Sequence, residues 1–182
     1  MLHGLTGDGN MMREFAKDIC PEDIVLITPN APFKHESRGY CWWQYPLNDC
    51  FEKEVQHSID YLLDLIPKNG PIIIGGFSQG AALAFELLFS EINSRIEGLI
   101  ILGSRSIDVL DLESKLNEVN PAKMFWMHGK ADSRITFKDA EKVLKIFENA
   151  NWNVKSVIHE KGHVIPLEYH SDIFEWLTLF SH

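Results

Sequence analysis

Short runs of apolar and β-branched residues alternate along this chain with longer stretches in which apolar residues recur every three or four positions. The short runs fall at residues 24–28, 72–77, 99–102, 123–128 and 154–159. Most are apolar throughout, as strands are when both faces of a parallel sheet are covered. The stretch 52–66 places Val55, Ile59, Leu62, Leu63 and Ile66 on one stripe and stops at Pro67 and Gly70, predicting an amphipathic helix. Residues 79–89 are apolar almost all round, so the helix predicted there is deeply packed. Residues 137–149 begin behind Thr136, with Asp139 three positions later as a capping-box-like signal. Ala140, Val143, Leu144 and Phe147 form the buried face of that helix. Pro166 suits the first turn of a last helix carrying Ile173, Phe174, Leu177 and Phe180. The stretches 30–50 and 104–120 are less regular, and a short helix fits the second. The strand–helix alternation predicts an α/β fold of three layers with a mostly parallel sheet. The length of 182 residues suits one domain spanning 1–182.

Composition narrows the partners rather than the fold. A formal net charge of −9, with no Lys/Arg run, argues against nucleic acid or an anionic membrane, since both need clustered cations. Cys20, Cys41 and Cys50 form no C-x-x-C pair and read as reduced thiols. None lies in a glycine-rich turn, so none is a candidate nucleophile. The N-terminus lacks a signal-peptide pattern, and no apolar run approaches the ~20 residues of a membrane span. A cytoplasmic protein without stable membrane insertion is expected.

The strongest chemical signal is Gly76-Phe77-Ser78-Gln79-Gly80, directly after Ile72-Ile73-Ile74 of the predicted strand and directly before Ala81–Phe89 of the predicted helix. A G-x-S-x-G pentapeptide alone is weak. Between a strand and a helix it has the geometry of a nucleophile elbow, with Ser78 exposed on a sharp turn and the positive helix end beneath it. The bland reading is a strand-to-helix connection rich in small residues. A serine hydroxyl needs a base, and the base an orienting acid. In α/β-hydrolases these follow the nucleophile in the order acid, then His, each after a later strand. Phe125-Trp126-Met127-His128-Gly129-Lys130-Ala131-Asp132 ends one predicted strand and offers Asp132; Val157-Ile158-His159-Glu160-Lys161-Gly162-His163 ends the next and offers His163.

The competing groups fit less well. His128 and His159 lie within or at the ends of strands, and His3 belongs to a separate glycine-rich turn. His35, His57, His170 and His182 read as surface or helix residues. Asp108, Asp111 and Glu160 lack the strand-Gly-Asp context of Asp132. An oxyanion needs preorganised N–H donors. The amide of Gln79 is one candidate, and the turn His3-Gly4-Leu5-Thr6-Gly7-Asp8-Gly9-Asn10 offers a second, with Leu5 the best placed. That turn also reads as a flexible terminus or a phosphate loop, although no P-loop Lys-Ser/Thr pair follows it. No metal site is expected, because the histidines and acids show no ligand spacing such as H-E-x-x-H.

Taken with their order, Leu2-His3-Gly4-Leu5-Thr6-Gly7-Asp8-Gly9-Asn10, Gly75-Gly76-Phe77-Ser78-Gln79-Gly80-Ala81-Ala82, His128-Gly129-Lys130-Ala131-Asp132 and Gly162-His163 resemble the phospholipase/carboxylesterase family, which includes acyl-protein thioesterases and small bacterial carboxylesterases. The Asn30-Ala31-Pro32 loop and Trp42-Trp43 add to the likeness. The resemblance spans essentially the whole chain. It implies an α/β-hydrolase fold, a cofactor-free serine hydrolase acting on acyl esters or thioesters, and a capacity to form a homodimer. By motif position it assigns Ser78, Asp132 and His163 to the triad, and Leu5 and Gln79 to the oxyanion donors.

The chain departs from the family in two places. Ser133-Arg134-Ile135-Thr136 replaces a small apolar-and-proline stretch, and Arg134 is expected to face solvent. Only Met1 and Leu2 precede the His-Gly turn, where the family has a strand and an earlier hairpin. The expectation is therefore a sheet lacking its N-terminal strands, in a polypeptide that natively extends upstream. Tyr40-Cys41-Trp42-Trp43-Gln44-Tyr45 either walls an acyl groove, with Trp42 and Trp43 touching substrate, or buries both indoles. The alternative class is a non-catalytic α/β-hydrolase-fold binding protein. A third reading keeps the enzyme class and changes the substrate to an amide or a dienelactone.

Overall fold

The computed structural model describes residues 1–181, so His182 lies outside the described residues. Four strands make the sheet: β3 (Ile72–Phe77), β4 (Ile96–Leu102), β5 (Lys123–Gly129) and β6 (Asn153–His159). They pair in parallel, in chain order. A further two-residue pair, β1 (Phe33–Lys34) and β2 (Tyr40–Cys41), is antiparallel. The helices are α1 (Gly9–Ala16), α2 (Phe51–Leu65), α3 (Gln79–Leu87), α4 (Val109–Leu116), α5 (Phe137–Asn149) and α6 (His170–Leu177).

The apolar runs explain the layering. Successive side chains of a strand point to opposite faces. Leu99, Ile101, Met124 and Trp126 therefore join one core, with α2, α3, α4 and α5 packed over it through Leu62, Phe85, Leu112 and Phe147. Ile100, Leu102, Phe125 and Met127 join the other, covered by Ile19 and by Ile173, Trp176 and Leu177 of α6. Because strand order follows chain order, crossovers of one hand carry α3, α4 and α5 to the same face. The result is the expected α/β, three-layer arrangement. Among the described residues, no helix is long and apolar enough to cross a membrane.

Most predicted elements are observed with small shifts at their ends. The helix at 137–149 starts where expected because Thr136 Oγ1 caps it, accepting from the Asp139 amide. The last helix is less regular than predicted: a 3-10 turn (Leu167–Tyr169) follows Pro166 before α6 begins.

The stretch 24–28 departs from its prediction and is not a strand. Its composition suits a strand, but a strand exists only through pairing, and no ladder reaches it. Val25 is 84% exposed there. Between it and β3 runs an apolar cleft of about 620 Å³, lined by Ile24, Ile27, Ile72, Ile73 and Ile74 among others. The N-terminal residues meet the sheet at one rung: the Leu2 amide donates to Gly75 O (2.7 Å), and the Phe77 amide donates to Leu2 O (3.0 Å).

Helix α1 was not predicted. Its signal is Asp8, whose side chain accepts from the Met11 amide as an N-cap, followed by the buried series Met12, Ala16 and Ile19.

Candidate active site

The carboxyl ends of β3, β5 and β6 converge, and each supplies one polar side chain through the loop that follows. Ser78 comes directly after β3, with φ 53° and ψ −117°, a conformation costly for any side chain and typical of a strained elbow. Its amide donates to Leu102 O of β4 (2.9 Å), which ties the turn to the sheet. The flanking glycines are needed for close approach. A Cβ on Gly76 would stand 2.5 Å from the Ala81 amide nitrogen, and one on Gly80 would stand 2.5 Å from His3 O. The second contact shows how tightly the elbow seats against the N-terminal turn.

His163 accepts from the Ser78 hydroxyl through Nε2 (2.9 Å) and donates from Nδ1 to Asp132 Oδ2 (2.6 Å). This tautomer follows from the partners, since a carboxylate can only accept. Asp132 Oδ1 in turn accepts from the amides of Arg134 (2.8 Å) and Ile135 (3.0 Å). Burial pushes the Asp132 carboxyl up, but the amide of Ile135, the ring of His163 and the amide of Arg134 together outweigh it. The group stays below the ordinary aspartate range. Ser78, Asp132 and His163 are thus brought into one hydrogen-bonded line. A hydroxyl in that line can lose its proton to a neutral imidazole while a buried carboxylate stabilises the cation that forms.

Two backbone amides are the candidate oxyanion donors. The amide of Gln79 opens α3, where a helix leaves its first N–H groups without partners. The amide of Leu5 lies in the turn before Thr6 (φ 65°) and makes no backbone hydrogen bond with another described residue. Both are therefore free to donate. The turn itself is held: the Thr6 amide donates to Tyr40 O, and the Tyr40 amide donates to Gly7 O.

The other polar residues serve packing. His128 is fully buried; its Nε2–H donates to Ile135 O (2.9 Å) and lies 3.4 Å from Asp132 Oδ2. It braces the acid's loop rather than reaching Ser78. His159 is also buried and accepts from the Lys161 amide. His3 accepts from the Ala31 amide through Nε2 (2.9 Å), so its Nδ1 carries the proton and donates to Gly4 O (2.8 Å). Arg134 is exposed, as expected. Trp42 and Trp43 are 0% and 8% exposed, so both indoles are core and neither walls an open groove. The large cleft beside β3 is lined by none of Ser78, Asp132 or His163. Among the described residues no group of His, Cys, Asp and Glu side chains could hold a metal ion.

Some contacts were illegible in the sequence. The ring of Phe77 lies 4.8 Å from that of His163, at 38°, and forms part of its floor. The side chain of Gln79 is spent on the Trp42-Trp43 segment. A motif position marks each residue, but its contact arises only when distant segments meet.

Comparison with known proteins identifies the family and the fold. A model of the family described as Serine hydrolase (FSH1) matches residues 1–171. Acyl-protein thioesterase 1 of Neurospora crassa is 30% identical over 165 residues, which cover 86% of this chain and 63% of the relative. The chain thus spans less than two thirds of that relative's length. Among solved structures, Zea mays acyl-protein thioesterase 2 superposes with a TM-score of 0.73 at 20% identity, over 98% of this chain and 90% of that one. The Bacillus cereus carboxylesterase gives 0.73 at 18% identity, over 98% and 86%. At these identities the structures show the fold, which is that of α/β-hydrolase esterases.

Proposed function

The chain belongs to the serine hydrolase (FSH1) family, and we propose that it cleaves carboxylic esters or thioesters through a Ser78–His163–Asp132 triad. The observation that carries this reading is the unbroken line from Ser78 Oγ to His163 Nε2 (2.9 Å) and from His163 Nδ1 to Asp132 Oδ2 (2.6 Å). In the first step His163 takes the Ser78 proton and Oγ attacks the acyl carbonyl. The negative oxygen of the tetrahedral intermediate is received by the amides of Gln79 and Leu5. The intermediate collapses to an acyl-enzyme as His163 protonates the leaving alcohol or thiol. Water then repeats the cycle with the same imidazole as base, releasing the carboxylic acid and restoring Ser78. Asp132 holds the Nδ1–H tautomer throughout. A thioester substrate is included because the Neurospora crassa relative is an acyl-protein thioesterase.

The test is fluorophosphonate labelling of wild type and Ser78→Ala, beside hydrolysis of acyl esters and thioesters of increasing chain length. Labelling and turnover that vanish in Ser78→Ala are expected. An unlabelled, inactive wild type would point to a binding protein, and labelling that persists in the variant would move the nucleophile elsewhere.

A further inference from the structure

The Gln79 side chain occupies an unusual place. It is 7% exposed, and both ends of its amide bond one stretch of backbone. Oε1 accepts from the Trp42 amide (2.8 Å) and Nε2 donates to Trp43 O (2.8 Å). A side-chain amide here does what a neighbouring strand would do, satisfying one donor and one acceptor of a buried segment. From that segment the indole of Trp42 reaches on, its Nε1–H donating to His3 O (2.8 Å). The Trp42 and His3 rings pack at 5.2 Å. His3 is itself locked between the Ala31 amide and Gly4 O, and the next residue is Leu5. The path runs from Gln79 through Trp42 and His3 to the turn, and His3 O closes it by lying against Gly80.

We infer that the Gln79 side chain is a positioning residue that holds the Leu5-bearing turn in register with the nucleophile elbow, so that one residue places both oxyanion donors. The inference rests on the triad reading for its catalytic consequence, while the clamp itself is a property of the fold. Without the amide, the Trp42 N–H and Trp43 O are left buried and unpaired, a costly state that the segment relieves by moving. The Trp42 indole moves with it and releases His3 O. An oxyanion donor acts only within a narrow distance of the developing charge, and losing one costs about 10²–10³-fold in kcat.

The experiment compares Gln79→Met, which keeps length and volume, and Trp42→Phe, which keeps an aromatic ring but removes the bond to His3 O along with part of the buried indole. The expected result for each is a fall in kcat of about 10²-fold, with KM for a short p-nitrophenyl ester unchanged. Affinity for a trifluoromethyl ketone, which binds as a tetrahedral oxyanion, should fall in parallel with kcat/KM. The double variant should cost little more than either single one, because both break the same path. Amide hydrogen exchange at Thr6 and Gly7, followed by NMR, should quicken in both variants whether or not the protein turns over. Wild-type kcat in Gln79→Met, a loss carried by KM alone, additive losses, or unchanged exchange at Thr6 and Gly7 would each overturn the inference. An inactive, unlabelled wild type in which exchange still responds would instead remove the triad reading and leave the clamp standing.

Discussion

Along its β4 side, β3 pairs from Ile72 to Phe77; along its other side, among the described residues, only Leu2 pairs with it, at Gly76. On the first side lies β4, whose Leu99, Ile100, Ile101 and Leu102 are essentially inaccessible. On the second lie an apolar cleft and the stretch 24–28, which joins no strand ladder. The two sides have similar composition and differ in pairing. The site takes its geometry from the first: Ser78 is tied to Leu102, while Asp132 and His163 ride on the ends of β5 and β6. From the second it takes a single turn, held by Tyr40, His3 and the Gln79–Trp42 clamp rather than by a ladder. Strand ends thus place the Ser78–His163–Asp132 line, and polar side chains hold the Leu5-bearing turn beside it.

Variants should expose this division, and the largest effects belong to the β4 side. Ser78→Ala should lower kcat by about 10⁶-fold with an unchanged melting temperature, read by ester hydrolysis and calorimetry. Asp132→Asn should cost about 10⁴-fold in kcat, because the amide favours the wrong tautomer of His163; steady-state kinetics would measure it. Leu99→Ala, in the fully buried centre of β4, should destabilise by about 2–5 kcal/mol in urea unfolding, from lost burial and the cavity left behind.

Acid should act more gently, and on both sides. Burial, as the leading cause, holds His3, His128 and His159 below the ordinary histidine value of 6.5. When folded they bind protons less readily than when unfolded. Their contribution is therefore complete above pH 6.5 and is lost as the pH falls below it, towards their lower folded values. The urea midpoint should be lower at about pH 5 than at about pH 7.5. A flat midpoint would mean that these rings are protonated in the native state. The smallest effect should be at the open edge: Val25→Ser, at a residue 84% exposed, should stay within about 0.5 kcal/mol. A larger loss there would mean that the edge is covered in solution.

Much of this arrangement was legible beforehand. The predicted strand 72–77 and the helix at 137–149 coincide with β3 and α5, because alternation and capping are local. Ser78, Asp132 and His163 could be named because each follows a strand in an order the fold imposes, and the structure brings them within hydrogen-bonding reach. The stretch 24–28 was misread because apolar β-branched composition reports a preference for pairing, not the presence of a partner. Trp42 and Trp43 could have faced substrate or core on sequence grounds, and packing against α2 and α3 made them core.

By itself, then, the sequence determined the four strands of the sheet and most of the helices, where the chain would turn sharply at a serine, and in what order an acid and a histidine would follow. Those are properties of neighbouring residues, governed by periodicity, capping and turn sterics. Only the tertiary structure decided that the apolar stretch 24–28 would stay unpaired, that His3 would be a strut, and that the Gln79 amide would be spent on a segment some 36 residues away. A buried polar group must find a partner, but which partner it finds depends on the segments the fold brings together.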